Sequence, residues 1–595
     1  MRVAVIGGGP SGLVTLKYLL KAQSSLGCDP IYVTLFENND TVGAVFATRV
    51  YEDAELVSSK QLTTFSDFRC SRQKDFLNAI DYLQYLREYC SHFDLWPYIN
   101  LRFEVRKVAI SPEYCDCIEK LDYTQEELSR KYNIEYSSNL GEIFTWGCDA
   151  IVVCSGLHRE PNLPDIPGLD HVPEVIHSSY FKTKSQFGTN KTVIVLGSGE
   201  TGADIAYLAV NSPTKQVLMC HKDGFHLAPK VNPGPVLLPI LGRKPDPNEP
   251  GIPIDVSRAN MFDTTYVHPM LRKSMILWEY YNYYIKSLLW ICSGTTFGMD
   301  QWIGEFSKAH HHPSKIFFNK SMKVCPYRSL PFRPKSRGPR LWLYALRSAL
   351  VQTPIPDTHG RQVDLAPLPK NINKEGVVEF LDNGRPEYER LRSQTIRPDM
   401  IVLCTGYKQT FPFLQDLYQG KQRHPSSFVR GIWEKDRPDV GFIGFMRPSL
   451  GAIPPLAEMQ AHSWVLNLVA PHRLNDLKRE DEEHYKLHTK PTARVTYGDD
   501  HESYAYQLAL DMNSAPGLTN ILRRLPLLRC KKAFRLLVIW AFGAHFNTKF
   551  RIIGPWAWEG AQELLTSDEF WQTITRRPIL FGKAQPPIMD LLLTV

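Results

Sequence analysis

Twice in 595 residues the chain runs an apolar strand into a glycine-rich turn and on into a helix. The first copy reads VAVIG, GGPSG and LVTLKYLLKA, and closes on the strand IYVTLFE that ends at Glu37. The second opens at Thr192 with TVIVLGSGETGADIAYLAV and closes on QVLMC, Gln216 to Cys220. Each predicts a βαβ unit, and two such units predict an α/β chain with two Rossmann-like dinucleotide-binding domains. In these turns glycine permits a tight bend and close approach of backbone to a pyrophosphate, while the helix N-terminus offers oriented N–H groups. The cofactor-binding candidates are therefore Gly7, Gly9, Pro10, Ser11 and Gly12 in the first turn. In the second they are Gly197, Ser198, Gly199, Glu200, Thr201 and Gly202.

The ends of the following strands separate the two sites chemically. Glu37 places a carboxylate where it can accept both ribose hydroxyls and repel a 2′-phosphate, which selects FAD or NAD. The second strand instead ends in His221 and Lys222. Cations there suit a 2′-phosphate, so this site is assigned NADPH. An FAD site and an NADPH site in one chain imply hydride transfer to flavin.

Composition narrows the alternatives. The formal charge of +7 comes from 69 basic and 62 acidic residues spread along the chain, which does not argue for nucleic acid. The 12 cysteines contain no CxxC pair, which counts against a dithiol oxidoreductase or a zinc ribbon. His310, His311 and His312 are adjacent and cannot all face one ion, so no metal site is expected. Val3 to Ile6 runs directly into glycines with no charged leader before it, which predicts an intracellular chain that starts at its first strand.

Along the chain, the first part of the FAD domain is expected over 1–165 and of the NADPH domain over 166–230. An inserted, mostly helical region fills 231–339. The NADPH domain resumes over 340–395, and 396–595 holds the rest of the FAD domain with a C-terminal extension. An amphipathic helix is predicted from Phe76 to Cys90, and buried strands at DAIVVC, ending in SG, and MIVLC, ending in TGY.

With both glycine units in place, five further segments show that the chain resembles the flavin-containing monooxygenases of the dimethylaniline type. VIHSSYFK carries His177, Ser178, Phe181 and Lys182, the second half of the family signature FxGxxxHSxxF. Asp149–Gly156 and Asp399–Tyr407 look like the two family strands that end in Thr or Ser and Gly. VSSKQLTTFSDF is similar to the flavin-side segment, and SLGAIPPLAEMQAHSW to the C-terminal one. Two departures stand out. His171 and Pro173 replace the Phe and Gly of the signature, and Val57 stands where the family has an asparagine thought to help hold the oxygenated flavin and NADP.

The resemblance implies an NADPH- and FAD-dependent monooxygenase that passes one oxygen atom from O2, through a flavin hydroperoxide, to an amine nitrogen or sulfur of a small molecule. It places Val45 and Phe46 beside the flavin, Thr405 and Gly406 in a domain-linking turn, and His177 either positioning the two domains or capping a loop. Ser58 or Ser59 would substitute for the missing asparagine, or some NADPH would be spent on hydrogen peroxide. A Baeyer–Villiger enzyme would carry Trp at Phe181, and a nucleotide-binding protein without turnover is the rival of another class. In the insertion, Trp278, Tyr280, Tyr281, Tyr283, Tyr284 and Trp290 line a substrate channel or form a packed helix. Near the C-terminus, cations from Arg523 to Arg535 precede LLVIWAFGA, a run too short to span a bilayer. It reads as a peripheral contact with an internal membrane or as a core helix, so the chain is expected in the cytoplasm or on such a membrane.

Overall fold

The computed structural model describes residues 1–112, 130–222, 358–418, 428–448, 451–488, 497–543 and 546–575, with short pieces between 225 and 352. The aromatic stretch Trp278–Trp290 and the three histidines from His310 lie outside the described residues. Two sheets organise the chain. In the larger, the strand Arg2–Ile6 lies between Tyr32–Glu37 and Ala150–Val153, all parallel, with Ile99–Leu101 on one side and Arg437–Phe442 on the other. Two short antiparallel strands, Phe428–Val429 and Trp433–Glu434, finish that edge. The second sheet is parallel throughout, in the spatial order Asp364–Ala366, Gln216–Cys220, Thr192–Leu196, Met400–Leu403, Glu174–His177. A three-stranded antiparallel sheet over Phe103–Ile110, Tyr132–Ser138 and Ile143–Cys148 packs beside the first.

The central strands VAVI and TVIVL are apolar without alternation because both of their faces are covered, as parallel sheets require. Their starts are built alike. The carboxylate of Asp149 accepts the Arg2 N–H at 2.7 Å, and that of Asp399 accepts the Thr192 N–H at 2.7 Å. Each acid thus fixes the register of the neighbouring strand that follows it. The helix expected from Phe76 runs instead over Ala79–His92, because Asn78 caps it: its side-chain oxygen accepts the Asp81 N–H at 2.7 Å.

The C-terminal extension is bound to the first domain by buried charge. Arg551 donates to the Tyr18 hydroxyl at 2.5 Å, to Ser66 Oγ at 2.9 Å and to Asp67 at 3.2 Å, while Lys17 meets Asp67 at 2.5 Å. Glu458 accepts from Tyr18 at 3.0 Å, Ser66 Oγ at 2.6 Å and Asn547 at 2.8 Å. Two cations thus face two carboxylates in one buried network, and removing one of the four leaves an uncompensated charge. Arg551→Met is expected to cost about 3–5 kcal/mol of unfolding free energy, measured by urea denaturation against the wild type.

A second buried acid has no such compensation. Asp499 pairs in register with Lys486, yet its Oδ2 has no hydrogen-bond partner among the described residues. Burial pushes its carboxyl up to about 8 against the opposing charge of Lys486, with Glu482 and Asp500 adding to the rise. The folded state therefore keeps a proton that the unfolded chain releases above about pH 4, and stability falls as pH rises toward 8. Asp499→Asn should lie close to wild type near pH 4 and be more stable at pH 8 by about 5 kcal/mol, read from denaturation midpoints across that range.

Candidate functional site

The first glycine turn sits at the C-terminal end of the central strand, where neighbouring chain crosses to opposite sides of the sheet. Gly7 has φ +114°, and its N–H donates to Phe36 O at 2.8 Å. A Cβ on Gly12 would lie 1.8 Å from Gly7 O, and one on Gly7 would lie 2.6 Å from Cys154 O. Only glycine lets the helix Pro10–Leu26 start this close to the strand. Gly9 caps that helix and no side chain closes its end, which leaves Pro10, Ser11 and Gly12 in an open first turn. Glu37 is buried beneath the turn: its Oε2 accepts the Gly8 N–H at 2.6 Å and its Oε1 the Asn39 N–H at 2.9 Å. The segment carrying Val45 and Phe46 is brought alongside by Gly43, whose N–H donates to Gly8 O at 2.9 Å. Val45 opens the short helix Val45–Thr48, and Phe46 packs edge-on against Tyr82 at 4.7 Å.

A third strand end reaches this turn that the sequence reading did not single out. Gly444, just past Arg437–Phe442, has φ +86°, and a Cβ there would fall 2.2 Å from Ser11 Oγ. Its N–H donates to the buried side chain of Gln460 at 2.9 Å. The signal was the segment DVGFIG, an acid, an apolar strand and a glycine, as in DAIVVCSG and DMIVLCTG.

The second turn repeats the construction. Gly197 has φ +125° and donates to Cys220 O at 3.1 Å; a Cβ on Gly202 would lie 2.1 Å from Gly197 O. Gly199 caps the helix Glu200–Val210, so Ser198, Glu200, Thr201 and Gly202 ring its open end, and a Cβ on Gly199 would meet nothing within 4 Å. The expectation for His221 narrows. Its ring is buried, with Nε2 at 2.8 Å from Glu387 Oε1, which also accepts from Arg385 Nε at 2.7 Å. Burial raises the Glu387 carboxyl, but the His221 hydrogen bond and charge outweigh it and hold the group at about 2. Lys222, by contrast, is exposed at the strand end.

Between the two turns the chain crosses twice, and the crossings pair antiparallel: Tyr407 with Pro161 and Lys408 with Glu160. Asn162 donates its N–H to Gly406 O at 2.9 Å and its side chain to Thr405 O at 3.2 Å. His177 closes the junction. Ser179 N–H donates to its Nδ1 at 3.2 Å, so Nε2 carries the proton and donates to Gly406 O at 3.1 Å. Burial lowers its pKa against the Gly406 carbonyl, which raises it, and the Arg49 charge lowers it further. A neutral ring at the crossing follows. Arg49 itself binds the carbonyls of His158 and Arg159 and lies 5.1 Å over the Tyr407 ring. Tyr51 OH reaches Asp204 of the second helix at 2.8 Å. Sequence reasoning missed Arg49, Tyr51 and Asn162, whose partners are distant in the chain.

Ser58 and Ser59 are both buried. Ser58 donates its hydroxyl proton to Gly451 O at 2.7 Å, so it has no hydroxyl proton to offer a ligand. Ser59 donates its backbone N–H to Asp255 at 2.7 Å, and its Oγ has no hydrogen-bond partner among the described residues. Val57 is half-buried between Leu56 and these serines.

The glycine cradles, each with an open helix end, fit two dinucleotides. Relatives agree. "Monooxygenase cfoE" from Aspergillus candidus is 46% identical over 97% of this chain and 94% of its own length. "Monooxygenase ptmN" from Penicillium ochrochloron is 44% identical over 97% and 90%. The human "Flavin-containing monooxygenase 2" is 24% identical over 95% and 91%. The family model described as Flavin-binding monooxygenase-like matches residues 1–234 and 383–581, the stretches that carry both glycine turns and both crossings. With FAD and NADPH thereby given as the cofactors, the chain belongs to the flavin-binding monooxygenase-like family.

Proposed function

We propose that this chain is an NADPH-dependent monooxygenase that places one oxygen atom from O2 on an amine nitrogen or a sulfur of a small molecule. The observation that supports this reading most is the contrast between the two strand ends, Glu37 beneath one open turn and exposed Lys222 beside the other. The first turn would hold FAD, with Gly9 to Gly12 toward the pyrophosphate, Glu37 toward the ribose and Gly444 closing over Ser11. The second would hold NADPH, with Gly199 to Gly202 toward the pyrophosphate and Lys222 toward the 2′-phosphate. When bound, NADPH supplies the hydride that reduces the flavin, and the reduced flavin supplies the activation of dioxygen.

What the chain's own residues supply is position and exclusion of water. His177, Asn162 and Arg49 hold the crossing between the cradles, and a neutral His177 adds no charge beside the flavin side. No general acid or base is required of the protein, in keeping with a junction held by backbone carbonyls and amide groups. Val57 has no side-chain hydrogen bond to give, and the Ser58 hydroxyl proton is committed to Gly451, so incomplete coupling is part of the proposal.

Two measurements test it. Gly12→Ala should purify without flavin colour, whereas Gly202→Ala should stay yellow and lose roughly tenfold or more in its rate of anaerobic bleaching by NADPH. Equal loss of colour in both would refute the assignment of the turns. For the activity, the wild type with NADPH and isotopically heavy dioxygen is offered amines, sulfides and ketones. Label in an N-oxide or sulfoxide, with hydrogen peroxide making up the rest of the NADPH consumed and Val57→Asn shifting that balance toward product, is the expected result. Label only in an ester from the ketone would replace the reading with the Baeyer–Villiger one, and no NADPH oxidation would sink both.

A further inference from the structure

Between Asp511 and Glu559 the chain contains no acidic residue, yet it carries Arg523, Arg524, Arg529, Lys531, Lys532 and Arg535. The structure sorts this stretch by face. The apolar run read from the sequence, Leu536 to Trp540, turns inward. Leu536 and Ile539 are fully buried with Ile521, Phe546, Leu565 and Trp571, and Trp540 donates its indole N–H to Pro516 O at 2.8 Å. Arg535 is buried as well and meets Asp568 at 2.7 Å. The outward face carries different residues. Leu518 and Leu522, one turn apart on the helix Leu518–Leu522, are 51% and 48% exposed, and Leu527 on the next turn is 80% exposed. Arg523, Arg529, Lys531 and Lys532 are exposed in the same stretch, and among the acids near it Glu563 stands 3.7 Å from Lys532.

We infer that this face docks on an anionic phospholipid surface, with Leu518, Leu522 and Leu527 entering the headgroup region and the four cations lying against lipid phosphates. Charge selects the partner: a run of cations uninterrupted by acids is attracted to an anionic leaflet. Size argues against a protein partner, since three leucines present far less than the roughly 800 Å² per side that a stable protein interface buries. Shape argues for a lipid one. The leucines project singly from a short helix and one tight turn, as side chains that reach just below headgroups do, while the longer helix behind them anchors the face to the folded core. Among the described residues no helix is long and apolar enough to cross a membrane. The inference stands independently of which substrate the enzyme oxygenates.

Flotation of the full-chain holoprotein with vesicles of phosphatidylcholine alone, or with one quarter phosphatidylserine, tests it. Binding is expected to the phosphatidylserine vesicles only and to weaken with added salt. Arg523→Ala and Arg529→Ala should each weaken it about fivefold, and the double variant Leu522→Glu with Leu527→Glu should abolish it at a wild-type unfolding midpoint. The inference is overturned by absence of binding, by equal binding to both vesicle types, by binding that survives the double leucine variant, or by a wild-type dimer in solution that the double variant disperses.

Discussion

A carbonyl oxygen occupies the place where a side chain would begin, once in each nucleotide domain, and the candidate site depends on that closeness. Gly7 O stands 1.8 Å from where a Cβ of Gly12 would be, and Gly197 O 2.1 Å from that of Gly202. Because the helix can start there, its open N-terminus points across the strand end rather than past it. The carbonyl one residue earlier positions the third element of each site. Cys154 N–H donates to Ile6 O at 2.8 Å and Cys404 N–H to Leu196 O at 2.9 Å, and the chain then leaves each sheet through Gly156 or Gly406. Steric closeness thus sets each cradle, and the adjoining strand hydrogen bond sets where the chain departs toward the other domain.

That direction is what turns two cradles into one site. The departing segments meet and pair between Pro161 and Tyr407; Asn162 binds the backbone of Thr405 and Gly406, and His177 that of Gly406. Segment 49–53 adds a second bracket. Arg49 holds the carbonyls after Gly156, Glu52 accepts the Lys184 backbone N–H at 2.8 Å, and Tyr51 reaches Asp204. These contacts set the distance and orientation of the two cradles, and Tyr51 adds apolar packing against the second core.

Sequence and structure agree where the physics is local. A strand, a glycine turn, a helix and the acid or lysine at the next strand end occupy about thirty consecutive residues, and each feature there could be read without knowing the fold. What could not be read depends on partners far along the chain. Gly444 approaches Ser11 across more than four hundred residues, and Arg49 binds carbonyls after position 157. His221 shows a further limit: its residue type and place suggest a phosphate contact, and the fold buries its ring against Glu387, which also binds Arg385. A charge next to a strand end is legible in sequence; which way it faces is decided by what packs beside it.

The C-terminal half illustrates how such distant partners are coupled. Arg430 is bound by Asp511 at 2.7 and 3.0 Å, its carbonyl accepts from Tyr504 OH at 2.8 Å, Gln460 donates to that hydroxyl at 2.9 Å, and Gln460 in turn accepts from Gly444. Each member is buried, and each satisfies the next, so a loss anywhere along the series leaves an unpaired group in the interior. The series ends at the glycine that closes over the first cradle. The extension beyond the second crossing therefore does more than cover the sheet: its hydrogen bonds help set how near Gly444 comes to the turn that would carry the flavin.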